Sequence, residues 1–463
     1  MKKHIQVTFA ELEKLVWGAA LETFQQALVE ILSMIDDFLM AKRDKNRFEC
    51  KDKKERTCIT MLGPIVVNRR YYWDKDEKDW VYLLDQALEL SKGTQVSTAL
   101  QELVVLWATK GPSYRDVRDR LEDLFGEQVL SHETIRQHLI RSSDVLKKTF
   151  QEAPQKKRAP IIFVEADGFW TGVQQRGRKT RKKRETKLVV AHEGWEERQG
   201  GGYRLKNPMY VTSDTLEAGE GVWDRLRLRL AEKYRDIDDI PVIINGDFAS
   251  WIKEGTQYFG NAIYQYDRFH LKREIRSVFR NQKDLLYQAL GRIDRHDPDG
   301  LLKTLDKGLS VAESEDQHEK IVTLKIRLKA HKECVIDYRE TLRRRGVRVL
   351  ESWRGMGAAE SNVDRFKLRT SKRGRAWSKT GLGAILNMLG LLYEGVLKDV
   401  LGSLSSIQLP KRTEELVEAN TCRIAKTVGT GVLNVRKAGL PAIHHGTQGY
   451  AKVFRKLLNL EAI

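Results

Sequence analysis

The stretch Ile161-Ile162-Phe163-Val164-Glu165-Ala166-Asp167 decides how this sequence folds. It is a mostly apolar run that stops on an aspartate, and a second run of the same kind is Ile240-Pro241-Val242-Ile243-Ile244-Asn245-Gly246-Asp247. Short apolar runs bounded by turn residues predict buried strands of an α/β domain. Ligands in open α/β sheets bind at the carboxyl ends of the strands. We therefore expect Asp167 and Asp247 to end neighbouring strands and to lie together at one edge.

The sequence around these two runs predicts the rest of one catalytic domain. Further strands are expected at 187–192, 210–212 and 262–267, with a helix over 215–235 before the fourth strand. Three strands, a helix and a strand, followed by another unit, is the order of a ribonuclease-H-like sheet. We therefore expect an α/β fold with a ribonuclease-H-like catalytic domain over 158–400, interrupted by an all-α insertion over about 271–350.

The residues before this domain predict two smaller regions. Residues 1–95 predict a small α+β region, in which a long helix at 8–42 either packs on its own domain or dimerises. Residues 96–150 predict a helical, helix-turn-helix-like DNA-binding domain whose second helix begins after Ser131. An αα-hairpin without groove contact fits this loose pattern equally well. The side chains placed to read base edges are His132, Thr134, Arg136 and Gln137.

Two basic segments bound the catalytic domain. The segment 147–160 is rich in lysine and contains two prolines, so we expect the main domain boundary there. Residues 401–463 are expected to form a separate basic C-terminal segment.

Composition favours a protein that meets a polyanion. The 463 residues carry a formal net charge of +18, which is typical of nucleic-acid partners but weak evidence alone. The four cysteines lack zinc-site spacing. No signal peptide and no run of 18 apolar residues is present. We therefore expect a cytoplasmic protein, nucleoid-associated when it acts, with no membrane contact.

A third carboxylate is expected after the insertion. Glu360 follows small residues in Gly355-Met356-Gly357-Ala358-Ala359, which would let its helix approach the sheet. Three carboxylates can hold two Mg²⁺ ions, with Mn²⁺ as a substitute, and such a pair activates a nucleophile and stabilises the leaving oxygen in one step. Glu351 and Asp364 remain alternatives to Glu360, since a different helix register would turn either toward the metals.

Two cationic clusters flank these carboxylates in the sequence and predict contact with a phosphate backbone. The first lies between the first two strands and comprises Arg176, Arg178, Lys179, Arg181, Lys182, Lys183 and Arg184; a solvated loop is its alternative. The second follows Glu360 and comprises Arg365, Lys367, Arg369, Lys372, Arg373 and Arg375, with Trp377.

Several of these segments resemble the ISLre-type insertion-sequence transposases, long grouped as an uncharacterised protein family and similar to the Mutator group. The resemblance spans nearly the whole chain. The blocks that carry it are Glu165-Ala166-Asp167-Gly168, Asn245-Gly246-Asp247-Phe248-Ala249-Ser250-Trp251-Ile252, Tyr266-Asp267-Arg268-Phe269-His270, Gly357-Ala358-Ala359-Glu360-Ser361-Asn362-Val363 and Arg375-Ala376-Trp377-Ser378.

The resemblance implies a DNA transposase of the DDE type. Its metal ligands would be Asp167, Asp247 and Glu360, and His270 would lie near them and assist DNA positioning or the strand reaction. Alternatively, Asp267 and His270 only cap a helix. The implied partners are double-stranded DNA, as element terminal inverted repeats and as target, and a second or further copy of the chain. A non-catalytic DNA-binding regulator derived from a transposase and a structure-selective nuclease are the competing functions.

Overall fold

The computed structural model describes residues 8–88, 90, 93, 95–148, 155–174, 181–213 and 220–404. These residues form two compact units. The second unit consists of Thr109–Pro112 and Leu139–Val400, and the first consists of the other described residues. The division between the units at 138–139 falls inside the helix His132–Lys148, and the domain boundary expected at 147–160 stays a prediction.

The first unit combines a long helix with a small antiparallel sheet. Helix α1 (Phe9–Lys42) begins at a capping box between Thr8 and Glu11. The apolar side of its C-terminal half, from Leu28 to Leu39, packs on the strands and on a short helix, α2, whereas Leu12, Leu15 and Val16 of its N-terminal half are exposed. The strands are β1 (Phe48–Thr60), β2 (Gly63–Asp74) and β3 (Asp79–Val81), and α2 is Leu83–Ala87.

Three helices follow this small sheet: α3 (Thr98–Lys110), α4 (Tyr114–Phe125) and α5 (His132–Lys148). Ser113 caps α4, and Gly126 ends it in the left-handed conformation with φ of 77°. Ser131 Oγ accepts a hydrogen bond from the Thr134 backbone N–H at 3.0 Å, so α5 begins where the sequence predicts. The predicted pair of helices is therefore present.

The second unit is built on a six-stranded mixed sheet in the order β10-β9-β4-β5-β8, with a short strand β11 also paired to β4. Strands β9, β10 and β11 extend the sheet by parallel pairing, whereas β5 is antiparallel to both β4 and β8. A two-stranded ribbon lies between β5 and β8 in sequence. The strands are β4 (Ile162–Gln174), β5 (Arg181–His192), β6 (Trp195–Glu197), β7 (Tyr203–Leu205), β8 (Met209–Thr212), β9 (Val242–Gly246), β10 (Ala262–Tyr266) and β11 (Ala376–Trp377).

The two faces of this sheet pack against different elements. Helices α6 (Glu220–Lys233) and α7 (Ser250–Lys253) cover one face through Trp223 and Trp251. On the other face, Phe163 packs against the rings of Tyr338 and Trp353. Because strand side chains alternate between faces, Asp167 lies on the same face as Phe163.

Five α-helices follow β10 before residue 345. The first four share a buried core formed mainly by leucine and isoleucine side chains together with Phe279, and the fifth contributes Tyr338 and Leu342 to the core that contains Phe163. The helices are α8 (Arg268–Val278), α9 (Lys283–Asp294), α10 (Pro298–Ser310), α11 (Glu315–Ala330) and α12 (Tyr338–Arg344). The predicted break at 296–300 separates α9 from α10, and Asp297 caps α10 there.

Three helices end the described chain: α13 (Ala359–Thr370), α14 (Lys379–Glu394) and α15 (Leu397–Leu404). Helix α14 is a core helix in which Leu382, Leu386 and Leu389 are buried. Among the described residues, no single helix is long and apolar enough to cross a membrane. Only α14 and α15 taken together meet that criterion, and they are bent by 112°.

One prediction about the sheet is wrong. Asp167 does not end its strand, because β4 continues to Gln174. The continuation is held by pairing on both sides: Thr171 lies opposite Arg184 of β5, and Gly172 lies opposite Ala376 of β11. The apolar run stops at Asp167, but the hydrogen-bonded strand does not.

Candidate functional site

Asp167 of β4 and Asp247, which directly follows the neighbouring parallel strand β9, lie near one another. The last paired positions of the two strands are Glu165 and Asn245, and each aspartate comes two residues after its own strand's last paired position. Strand β9 ends at Gly246, and a side chain there would come within 2.8 Å of a carbonyl oxygen of β4. This glycine therefore allows the close approach of the two strands that brings the carboxylates together.

Each of these carboxylates is half-buried and keeps one oxygen open. Asp167 Oδ1 accepts a hydrogen bond from the Gly168 backbone N–H at 2.7 Å, and Asp247 Oδ1 accepts one from the Ala249 backbone N–H at 3.0 Å. Within the described part of the chain, neither Oδ2 atom accepts a hydrogen bond. Carboxylate oxygens of this kind are the ligands that Mg²⁺ prefers.

Burial raises the pKa of Asp167 above its ordinary value, and the nearby charge of Asp247 raises this pKa further. The Gly168 backbone N–H and the charges of His270 and Lys367 act in the opposite direction. Because desolvation is the largest cause, the donor and the positive charges around ionised Asp167 do not fully compensate its burial. These interactions also place Asp247, His270 and Lys367 around Asp167.

His270 reaches this neighbourhood from the first turn of α8. Asp267 caps that helix, since its Oδ1 accepts hydrogen bonds from the backbone N–H groups of Phe269 at 2.9 Å and His270 at 3.1 Å. The His270 ring Nδ1 lies 2.9 Å from Arg273 Nη2. The capping role of Asp267 is confirmed. The His270 side chain also lies close enough to Asp167 to lower its pKa.

A buried chain of polar side chains holds Asp267 in place. Asn245 Nδ2 donates to Asp267 Oδ2 at 2.7 Å, and Gln265 Nε2 donates to Asn245 Oδ1 at 3.0 Å. The Tyr338 backbone N–H then donates to Gln265 Oε1 at 2.7 Å. Strands β9 and β10 are thereby tied to α8 and α12. Because Asp247 directly follows β9, the same hydrogen bonds also hold the strand end that precedes it.

Glu360 lies in the first turn of α13, with its side chain exposed. The start of this helix is held against β4 by Glu165, whose Oε2 accepts hydrogen bonds from the backbone N–H groups of Gly357 and Ala359, both at 3.0 Å. Residues two apart on a strand share a face. The start of α13 and Asp167 therefore lie over the same face of the sheet.

The residues present fit a divalent cation in part. Asp167 and Asp247 supply two carboxylates with an open oxygen each. The described residues contain no group of three or more His, Cys, Asp or Glu side chains spaced to hold a metal ion. Glu360 does not complete the group in this geometry, and Glu351 and Asp364, both exposed, do not either. The structure thus brings together two of the three expected ligands.

The first cationic cluster lies on the part of β5 that extends beyond Asp167. Lys182 and Lys183 are exposed, and Arg184 is half-buried. They pair with the part of β4 that follows Asp167. We call this end of β5 the basic arm, and it places positive charge at the end of the two strands. The other members lie outside the described residues or have undescribed side chains: Arg176, Arg178, Lys179 and Arg181.

The second cationic cluster is divided between the interior and the surface. Arg365 packs over the Tyr393 ring at 4.0 Å, and Arg369 is buried with its guanidinium 5.0 Å from the Trp377 ring. Trp377 is itself buried and donates a hydrogen bond to the Thr370 carbonyl at 2.8 Å. Arg369 and Trp377, predicted as DNA contacts, therefore stabilise α13 from the interior, whereas Arg365 is exposed.

Arg375 also serves α13, since its Nη1 donates to the backbone carbonyls of Leu368 and Arg369. Two lysines of the second cluster remain available to a partner. Lys367 is half-buried and near Asp167, and Lys372 is exposed. The side chain of Arg373 lies outside the described residues.

The predicted base-reading side chains lie in the first turns of α5. Arg136 forms an ion pair with Glu133 at 2.7 Å, and Gln137 donates to the same carboxylate at 2.8 Å. The hydrogen bond from Arg136 is the main reason that the pKa of Glu133 falls to about 2. Thr134 bonds to the Ser131 hydroxyl, and His132 is half-buried. A DNA contact here would have to compete with the Glu133 charge.

Comparison with known proteins assigns the chain to a protein family. The model of the "Uncharacterised protein family (UPF0236)" matches residues 3–401. The chain belongs to the UPF0236 family. A UPF0236 protein of Caldanaerobacter subterraneus subsp. tengcongensis is 26% identical over 367 residues, covering 77% of this chain and 71% of that protein. The "UPF0236 protein in vanSb 3'region" of Streptococcus gallolyticus is 26% identical over 395 residues, covering 84% and 83%.

Three polar residues at the site of this UPF0236 protein were not assigned a role from the sequence. Glu165 anchors α13, Asn245 holds Asp267, and His192 faces Glu165. Glu165 did carry a signal, because it is a charged residue inside an otherwise apolar run. Nothing in the sequence around Asn245 and His192 indicates their roles, because their partners are distant in sequence.

Proposed function

We propose that this UPF0236 protein is a DNA transposase that cuts and joins DNA at a site formed by Asp167 and Asp247, with Glu360 as the third carboxylate. The observation that carries the proposal is that the two aspartates lie close together, each two residues after the last paired position of two neighbouring parallel strands. They would hold Mg²⁺, or Mn²⁺ in its place. When bound, two such ions supply an activated water or 3′-hydroxyl and stabilise the leaving oxygen.

The order of the strands supports a ribonuclease-H-like catalytic domain. Strands β4, β5 and β8 are antiparallel neighbours, whereas β9 and β10 add on the other side of β4 in parallel. Helix α6 joins β8 to β9, and the helices α8 to α12 intervene before α13. This arrangement accounts for the long interval between Asp247 and Glu360 as an inserted helical region.

Other residues of the chain would position the DNA. Lys367, beside Asp167, would hold a phosphate oxygen of the strand being cut. His270, also near Asp167, would orient the same strand. Lys182 and Lys183, exposed on the arm, would bind the backbone further away. A transposase must bring two element ends together, so we propose that a homodimer or larger assembly forms on double-stranded DNA.

The names of the relatives give independent support. One UPF0236 protein of Caldanaerobacter subterraneus carries eleven locus designations of a single organism, and another carries four. One protein encoded at many loci of one genome is the expected result of an element that copies or moves itself. A decayed regulator would not ordinarily be present at so many loci.

One observation favours a different function. Since no third carboxylate joins Asp167 and Asp247 among the described residues, a non-catalytic DNA-binding regulator derived from a transposase is the second candidate. It would bind DNA through the same cationic residues, and substitution of either aspartate would leave its activity unchanged.

A strand-transfer assay distinguishes the candidates. Purified protein would be incubated with Mg²⁺, a supercoiled target plasmid and labelled duplexes taken from the DNA that flanks its own gene. A transposase joins the label to the plasmid, and this product requires Asp167 and Mg²⁺. Binding by mobility shift without cleavage would favour the regulator. Cleavage without joining would favour a structure-selective nuclease.

A further inference from the structure

Glu165 is a carboxylate in an apolar interior. Its side chain is 0% exposed in β4. The rings of Phe163 and Trp353, whose centroids are 5.9 Å apart, belong to the core on this face of the sheet. Burying an ionised carboxylate costs free energy unless several donors compensate it. A carboxylate in this position therefore needs hydrogen-bond donors or a positive charge close to it. The groups that supply them show which parts of the fold Glu165 connects.

One set of partners is the beginning of α13. The N-cap residue Ala358 has no side chain able to accept a hydrogen bond. The Gly357 and Ala359 N–H groups instead bond to Glu165 Oε2. Gly357 has a φ of 153°, which side-chain-bearing residues rarely adopt. A carboxylate at a helix N-terminus satisfies free N–H groups and interacts favourably with the helix dipole. Glu165 thus caps α13 from a neighbouring strand.

The other partner is His192 of β5. Its Nε2 lies 3.6 Å from Glu165 Oε1, and both side chains are fully buried. Within the described residues, neither atom has a hydrogen-bond partner. The two groups can form one hydrogen bond if a single proton lies between Nε2 and Oε1 and the distance shortens. The Gly194 backbone, whose N–H lies 3.2 Å from Nδ1, and the stacked Phe163 ring hold the imidazole in place.

We propose that Glu165 and His192 are positioning residues, which form a buried connection from β5 through β4 to the start of α13. This connection fixes Glu360, one residue after Ala359, over the face of the sheet that carries Asp167. Its effect on catalysis rests on the function proposed above. Its effect on the start of α13 does not. Removal of the Glu165 carboxylate releases residues 357–360 while Asp167 and Asp247 stay in place.

Three variants of the full chain test this connection: Glu165→Ala, Glu165→Gln and Val164→Ala. Val164 is equally buried on the same strand but faces the opposite side of the sheet, so its truncation controls for general loss of packing. In Glu165→Gln, the amide oxygen can still accept from both N–H groups. The amide nitrogen can donate to His192 Nε2 once the ring proton moves to Nδ1, which lies 3.0 Å from the Gly194 carbonyl oxygen.

The first readout is hydrogen exchange in peptides covering residues 355–363. We expect exchange to accelerate about tenfold or more in Glu165→Ala, relative to Val164→Ala, because the two N–H groups lose their acceptor. Glu165→Gln should retain most of the protection. Equal exchange in Glu165→Ala and Val164→Ala would overturn the connection whether or not the protein cuts DNA.

The second readout is cleavage of the flanking duplex with Mg²⁺. We expect Glu165→Ala to lose most cleavage while binding DNA normally, and Glu165→Gln to recover it. Faster exchange with wild-type cleavage in Glu165→Ala would overturn the positioning role. If the wild type binds but does not cut, the proposed function fails, and the exchange result still decides whether Glu165 holds α13.

Discussion

Asp167 and Asp247 each come two residues after Glu165 and Asn245, the last paired positions of two neighbouring parallel strands, and the charge of Asp247 is close enough to raise the pKa of Asp167. Two carboxylates in this arrangement repel one another, and burial adds to the cost at Asp167. A site of this kind is costly to the fold without a ligand. Under the proposed function, a divalent cation held by the two carboxylates would offset this cost.

The first prediction concerns stability and pH. Because the pKa of Asp167 is raised in the folded protein, folding favours the protonated form, and stability falls as pH rises above the ordinary Asp value of about 4. Asp167→Asn removes this penalty. In EDTA, we expect Asp167→Asn to be more stable than the wild type at pH 8, with a smaller advantage at pH 4, measured by urea unfolding.

Addition of Mn²⁺ provides the control for this prediction. It should stabilise the wild type at pH 8 and have little effect on Asp167→Asn, so that the advantage of the variant disappears. A variant less stable than the wild type at pH 8 in EDTA would mean that the fold stabilises the Asp167 carboxylate, contrary to the account.

The second prediction concerns the cap of α8. Asp267→Ala removes the N-cap and also leaves the buried Asn245 amide without its acceptor. We expect a loss of about 2–4 kcal/mol in the free energy of unfolding, from the cap and the unpaired amide together. Ser314→Ala, which removes only the exposed cap of α11, should cost about 1 kcal/mol. Equal losses in the two variants would show that the buried bond contributes nothing.

The third prediction concerns the basic arm on β5. A Lys182→Ala/Lys183→Ala double variant should weaken DNA binding and reduce the slope of log affinity against log salt by about 1–2, as expected for two lost phosphate contacts. The control is Lys303→Ala/Lys307→Ala, which removes two exposed charges from α10. Affinity would be measured by fluorescence anisotropy over a salt series. The same change of slope in both double variants would point to net charge rather than to the arm.

The fourth prediction concerns the third carboxylate. Three acidic residues are candidates, and all of them are exposed: Glu351, Glu360 and Asp364. Only Glu360 is adjacent to the anchored residue Ala359. We expect Glu360→Gln to reduce cleavage by more than about 100-fold, the upper end of losses seen for outer-shell partners. Glu351→Gln and Asp364→Asn should cut normally. A defect in Asp364→Asn alone would mean that the helix turns differently on binding metal.

The sequence was sufficient for the elements that depend on local pattern. Apolar runs predicted the strands of the sheet, and Ser113 and Ser131 marked the starts of α4 and α5. Asp167 and Asp247 were found because each follows an apolar run. These features depend on neighbours in sequence, which periodicity and capping rules describe.

Features that depend on distant partners could not be predicted in this way. β4 continues past Asp167 because β5 and β11 pair with it, and nothing in the run itself shows this. Trp377 and Arg369 appeared to belong to a basic face, but the fold turns both inward. Glu165 gains its role from backbone groups almost two hundred positions later in the chain, at Gly357 and Ala359.

The most direct test of the central claim compares wild type, Asp167→Asn and Asp247→Asn for cleavage of the duplex that flanks the gene, with Mg²⁺, alongside binding by mobility shift. The account predicts that all three bind with similar affinity and that only the wild type cuts. Cleavage by both variants at the wild-type rate would contradict it, because the paired aspartates would then have no part in the chemistry.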